Sequence, residues 1–140
     1  MKEPLSFKEM EQMLAKYKWY LKESKLIELS IRYPVTEHDD NVGGGKSSPG
    51  SDDSMLRTII KLEDNEELDR YVRIGRAIEN TYAELPADEQ KTMMEFYVNR
   101  HGAFRGHAKR TAAKLGIDPS TLYRWRLNIV KAFEKNLEKY

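Results

Sequence analysis

The chain has 140 residues, a formal net charge of +1 and no cysteine. That length holds one ordinary domain, or a small domain with an extension. A mean hydropathy of −0.76 and 34% charged residues describe a soluble protein; the apolar runs are too short to span a bilayer, so no membrane is expected, and no signal-peptide pattern opens the chain. Without thiols there is neither a disulfide framework nor a thiolate zinc site.

The near-neutral total conceals a partition. Residues 98–140 carry ten Lys/Arg against three Asp/Glu, a local charge of +7, whereas residues 37–97 carry seven against fifteen, a local charge of −8. A basic C-terminal segment on an otherwise acidic chain is the electrostatic footprint expected of a nucleic-acid binder.

Residues 1–33 form the first unit, an amphipathic helix predicted over 6–32. Phe7, Met10, Leu14, Tyr17 and Leu21 recur at alternating three- and four-residue steps, the spacing of a coiled-coil seam. The seam suits packing inside the chain's own domain or pairing of two chains into a homodimer. Beyond it Leu26, Ile27, Leu29 and Ile31 make a wider stripe, and Tyr33-Pro34 closes the helix.

Residues 34–54 read as a flexible linker, with Gly43 to Ser51 rich in glycine and serine. Gly45-Lys46-Ser47 resembles the end of a phosphate-binding loop, but Asp40 stands where the loop's first glycine belongs and no strand precedes it. His38 with Glu37, Asp39 and Asp40 lacks a second ligand cluster within reach, so no metal or cofactor is expected.

Residues 55–140 form the predicted helical DNA-binding domain. A long middle helix over 55–84 carries Leu68, Val72, Gly75, Ile78, Tyr82 and Leu85 on one stripe, with Gly75 allowing another helix to approach. The next helix starts at Leu85-Pro86, where proline and acids suit a first turn, and Met93, Met94, Phe96, Tyr97 and Val98 supply its apolar face. Gly102 and Gly106 bracket a loop flanked by His101 and His107, which are expected to be solvent-exposed, with a DNA phosphate contact as the functional alternative.

A helix-turn-helix then spans 108–138. Ala112 is small where two helices cross, Gly116 suits a left-handed helix end, Asp118 caps the next helix and Pro119 fits its first position. Leu122 and Trp125 point back to the first helix, and Ile129, Val130, Phe133 and Leu137 continue the buried stripe. No segment alternates with period two, so the fold class is all-α, with five helices. Thr111 to Leu115 buttress the turn and touch the DNA backbone. Ser120, Thr121, Tyr123 and Arg124 face the major groove of double-stranded DNA, and Lys109, Arg110, Lys114, Arg126 and Lys131 meet phosphates. No Ser/His/Asp arrangement argues for an enzyme.

Leu85-Pro86-x-x-Glu89-Gln90, the apolar helix ending in Tyr97 and the run Thr111 to Arg126 together resemble region 4 of sigma factors. The helix ending in Tyr33-Pro34 and the Asp40-Asn41-Val42-Gly43-Gly44-Gly45 stretch are similar to the RinA/ArpU group of phage transcriptional regulators. That resemblance implies an activator of phage or prophage late genes, acting in the cytoplasm of a bacterial host with host RNA polymerase as a partner. A small-terminase-like DNA-packaging component is the alternative, although such proteins carry the motif near the N-terminus.

Overall fold

Ser6 opens the first helix with a reciprocal cap: its hydroxyl accepts from the Glu9 N–H at 3.1 Å and the Glu9 carboxylate accepts from the Ser6 N–H at 3.3 Å. The computed structural model describes residues 5–34, 52–100 and 105–139. Among these the chain is helical with no strand, as the missing period-two alternation requires. In order come α1 (Phe7–Ala15), α2 (Tyr17–Arg32), α3 (Asp52–Asp64), α4 (Glu66–Glu84), α5 (Ala87–Met93), a π-helical turn (Met94–Val98), α6 (His107–Leu115) and α7 (Pro119–Lys139). The linker, the Gly45-Lys46-Ser47 and His38 readings, His101 and Gly102 lie largely or wholly outside the described residues.

Two expected helices are each split. The helix predicted over 6–32 breaks at Lys16, whose backbone (φ −101°, ψ 15°) leaves helical values without proline or glycine. The break lets α1 pack on the π turn and α7 while α2 runs along α4. Beside the break the Lys16 cation lies 4.2 Å from the Trp19 ring centroid, and Trp19 meets Tyr20 and Tyr71 edge-on. The helix predicted over 55–84 breaks at Asn65, whose side-chain oxygen accepts from the Leu68 N–H at 2.8 Å and starts α4 afresh.

The Phe7–Leu21 seam is used inside the chain. Met10 and Leu14 are buried, Phe7 and Tyr17 pack against the same core, and Leu21 alone of the five remains exposed. Ile74, Ala77 and Ile78 of α4, Met93, Phe96 and Tyr97, and Leu122, Ile129 and Phe133 of α7 complete that core. Each such large side chain contributes about 1.5–3 kcal/mol by leaving water. Gly75 is buried, but a Cβ there would meet no atom within 4 Å, so the close helix approach expected of it is absent.

Three consecutive side chains, Phe96, Tyr97 and Val98, are buried together. The π turn permits this by adding a residue to the helical circuit, marked by the Asn99 N–H donating to the Met94 carbonyl at 2.8 Å. Polar ties fix the layers: Tyr17 donates to Glu79 at 2.6 Å, Asn128 to Glu89 at 2.8 Å, and Asn136 to the Thr81 hydroxyl at 3.1 Å. The expected first-turn role of Pro86 shifts by one position, since Pro86 is the cap and Ala87 begins α5. Among the described residues no helix is long and apolar enough to cross a membrane.

Candidate nucleic-acid interface

The turn between α6 and α7 follows from two residues that tolerate what others do not. Gly116 takes φ +70°, a left-handed conformation that costs an L side chain. There the Gly116 N–H donates to the Ala113 carbonyl at 3.2 Å and the Ile117 N–H to the Ala112 carbonyl at 3.0 Å. These are the paired bonds of a Schellman ending, which satisfy the last carbonyls of α6. Ile117 then folds onto the core.

Asp118 starts α7. Its Oδ2 accepts from the Ser120 N–H at 3.0 Å and from the Ser120 hydroxyl, while its carbonyl receives the Leu122 N–H at 3.0 Å. The side-chain and backbone hydrogen bonds from Ser120 hold the Asp118 carboxyl below its usual range. Pro119 occupies the first helical position, where an N–H would have no partner.

α6 buries His107, Thr111 and Ala112 on one side and leaves Lys109, Arg110, Ala113 and Lys114 outside. α7 buries Leu122 against the core, which leaves Ser120, Tyr123 and Arg124 exposed on its first two turns. Tyr123 is 55% exposed although aromatic. Thr121 is half-buried, with its hydroxyl 3.4 Å from the Arg124 guanidinium. Trp125 closes the back of the turn, lining a cleft of about 160 Å³ with Thr92, Leu115 and Ile117.

The cations divide into two groups. Lys109, Arg110, Lys114 and Lys131 are exposed. Lys114 lies 2.8 Å from the Glu95 carboxylate and its side chain is still 68% exposed, and the Arg110 guanidinium donates to the Arg105 carbonyl at 3.2 Å. Arg126, expected on phosphates, is instead an interior residue with a side-chain exposure of 19%. Its Nε and Nη2 both donate to Glu11 Oε2, at 3.0 and 2.7 Å, and its guanidinium lies 4.7 Å from the Phe96 ring centroid. The helical register explains this, since Arg126 falls between Leu122 and Ile129 on the buried stripe.

Tyr97 donates to the same Glu11 oxygen at 2.6 Å. Burial pushes the Tyr97 phenol far above its usual range, and the bond to Glu11 and that residue's charge push the same way. The Glu11–Tyr97–Arg126 clamp thus joins α1, the π turn and α7. It sets the base of the helix whose tip carries Tyr123 and Arg124.

Thr111 is also buried, so its side chain buttresses the turn and is withheld from a DNA backbone. His107 is withheld as well: its Nε2–H donates to the Phe96 carbonyl at 2.7 Å and its ring packs 4.5 Å from that of Phe96. Sequence reasoning passed over Glu11, whose signal was an acid one residue after Met10 on the apolar stripe. It also omitted Arg105 and Lys135, exposed cations of the same basic segment.

A family model described as a protein of unknown function, DUF722, matches residues 9–135. No curated protein and no solved structure matches the chain.

Proposed function

We propose that this chain, which belongs to the DUF722 family, is a sequence-specific transcription regulator that binds double-stranded DNA. The observation that carries the reading is the pairing of Tyr123 and Arg124, exposed on the first turns of α7, with Lys109, Arg110 and Lys114, exposed on α6. Ser120, Thr121, Tyr123 and Arg124 read base edges in the major groove. Arginine does this by bridging guanine O6 and N7, and hydroxyls by reaching phosphates or bases. Lys109, Arg110, Lys114 and Lys131 set register and affinity through phosphates and release counterions in doing so. Thr111 and Arg126 act beneath that surface, as the buttress of the turn and the anchor of α7.

The resemblance to phage regulators adds the biological setting: late genes of a phage or prophage, with host RNA polymerase as the machine being directed. Mapping bound DNA across the genome of an induced lysogen tests both parts. Occupancy concentrated at one or a few promoters supports regulation, and occupancy absent from promoters overturns it. A native mass of many subunits in a closed ring would favour DNA packaging instead.

A further inference from the structure

The polar groups at the tip of α7 differ in what they can give. Ser120 has one hydroxyl hydrogen, and Asp118 Oδ2 accepts it, together with the Ser120 N–H at 3.0 Å. The direction of the hydroxyl bond is fixed, because a carboxylate held ionised has no hydrogen to return. What Ser120 keeps is the lone pairs of its oxygen. Both residues are exposed, so an acceptor-only pair stands at the start of the proposed recognition helix.

Arg124, one turn further on, is the opposite. A guanidinium carries donors only, and its Nη2 donates to the Thr121 hydroxyl at 3.4 Å. Ser120 and Arg124 are four residues apart, about 6 Å along one face of the helix. Two neighbouring points on α7 thus make opposite demands of DNA.

Those demands select the partner of Ser120. A phosphate oxygen is an anionic acceptor, and the Ser120 lone pairs and the Asp118 charge both repel it. One donor of the helix start is also taken, since the Ser120 N–H is given to Asp118. Guanine O6 and N7 and thymine O4 are acceptors and are refused likewise; the donors in the major groove are the amino groups at cytosine N4 and adenine N6. We infer that Ser120, held by Asp118, reads such an exocyclic amino group of cytosine or adenine, within about two base pairs of the guanine that Arg124 bridges. This specificity rests on α7 being the DNA-reading helix, and it withdraws the Ser120 hydroxyl from the phosphates.

Full-length wild type, Ser120→Ala, Ser120→Thr and Asp118→Gly are each used to select duplexes from random sequence, and affinities are then measured by anisotropy. The wild type is expected to prefer one base pair, close to the guanine whose preference is lost on Arg124→Ala, by about tenfold or more. Whether that pair is C·G or A·T tells the two amino groups apart. Ser120→Ala should lose this preference and keep the guanine, which shows that it is folded, and Ser120→Thr should retain both. Asp118→Gly, a small loss to the cap, returns the hydroxyl hydrogen, so guanine or thymine in that place should gain affinity several-fold. Replacing the chosen base by its analogue without the amino group (purine for adenine, pyrimidinone for cytosine) should cost the wild type about tenfold more than it costs Ser120→Ala. An equal loss for both proteins, base preferences that Ser120→Ala leaves within about twofold of wild type, or acceptor bases still refused by Asp118→Gly would each overturn the inference while leaving α7 on DNA. A wild type that selects no sequence would overturn the DNA reading with it.

Discussion

Arg126→Met removes the anchor beneath the proposed recognition surface. In the wild type Glu11 Oε2 accepts from Arg126 Nε, Arg126 Nη2 and the Tyr97 hydroxyl. The substitution leaves a nearly buried carboxylate with the tyrosine bond alone. Breaking a buried pair from one side costs about 3–5 kcal/mol, and the 19% exposure of the arginine side chain places this case near about 3 kcal/mol. At about 2.1 cal/mol/K per residue, a chain of 140 residues has an unfolding entropy near 0.3 kcal/mol/K, so Tm falls by about 10 °C. Glu11→Gln keeps an oxygen for Tyr97 and should cost about 1–2 kcal/mol. Combined with Arg126→Met it leaves no buried charge, so the double variant should be less destabilised than the sum by about 2 kcal/mol or more. Urea and thermal unfolding of all four proteins complete the cycle. An Arg126→Met protein within about 0.5 kcal/mol of wild type, yet weakened on DNA, would refute the clamp and return Arg126 to the phosphates.

Gly116→Ala should lower unfolding stability by about 1–2 kcal/mol, through φ alone, since a Cβ there meets no atom within 4 Å. Gly75→Ala should raise it by about 0.5–1 kcal/mol, because the helix gains propensity and the space is open. Asp118→Ala should destabilise α7 at neutral pH. Because Asp118 titrates below its ordinary value of 3.8 when folded, its contribution is complete above that value and is lost as pH falls through the lowered one. The stability difference between wild type and variant should therefore close on acidification, and a difference that widened would contradict the cap. Arg124→Ala should cost about 1–3 kcal/mol at a selected DNA site, and Lys131→Ala should reduce the slope of log K against log salt by about 0.9, both read by fluorescence anisotropy.

The turn was legible because its residues are specific for their backbone: Gly116 for φ +70°, Asp118 for the cap, Pro119 for the first helical position. Helix termini elsewhere were harder. Asn65 followed by two glutamates is a cap signal, but the stripe on either side runs through it and reads as one helix. The break at Lys16 has no local signal at all, because it serves the different neighbours of α1 and α2. Gly75 shows the reverse error, in which a residue type suggests packing that the fold does not use. Residue type points Arg126 and His107 outward, yet their register turns them inward, where Glu11 and the Phe96 carbonyl are their partners. Periodicity finds the buried stripe; it does not find a charge that the stripe has made room for.

The central claim, that the tip of α7 reads DNA, is tested most directly by one titration. A duplex selected from random sequence by the wild-type protein, and a shuffled duplex of the same composition, are titrated by anisotropy across a range of salt. The account predicts binding to both with log K falling steeply as log salt rises, by about 0.9 per phosphate contact from Lys109, Arg110, Lys114 and Lys131. It predicts a preference for the selected duplex of about 10³-fold or more, lost in large part on Arg124→Ala. No salt-dependent binding to either duplex would contradict DNA as the partner, and equal binding to both would contradict a reading helix.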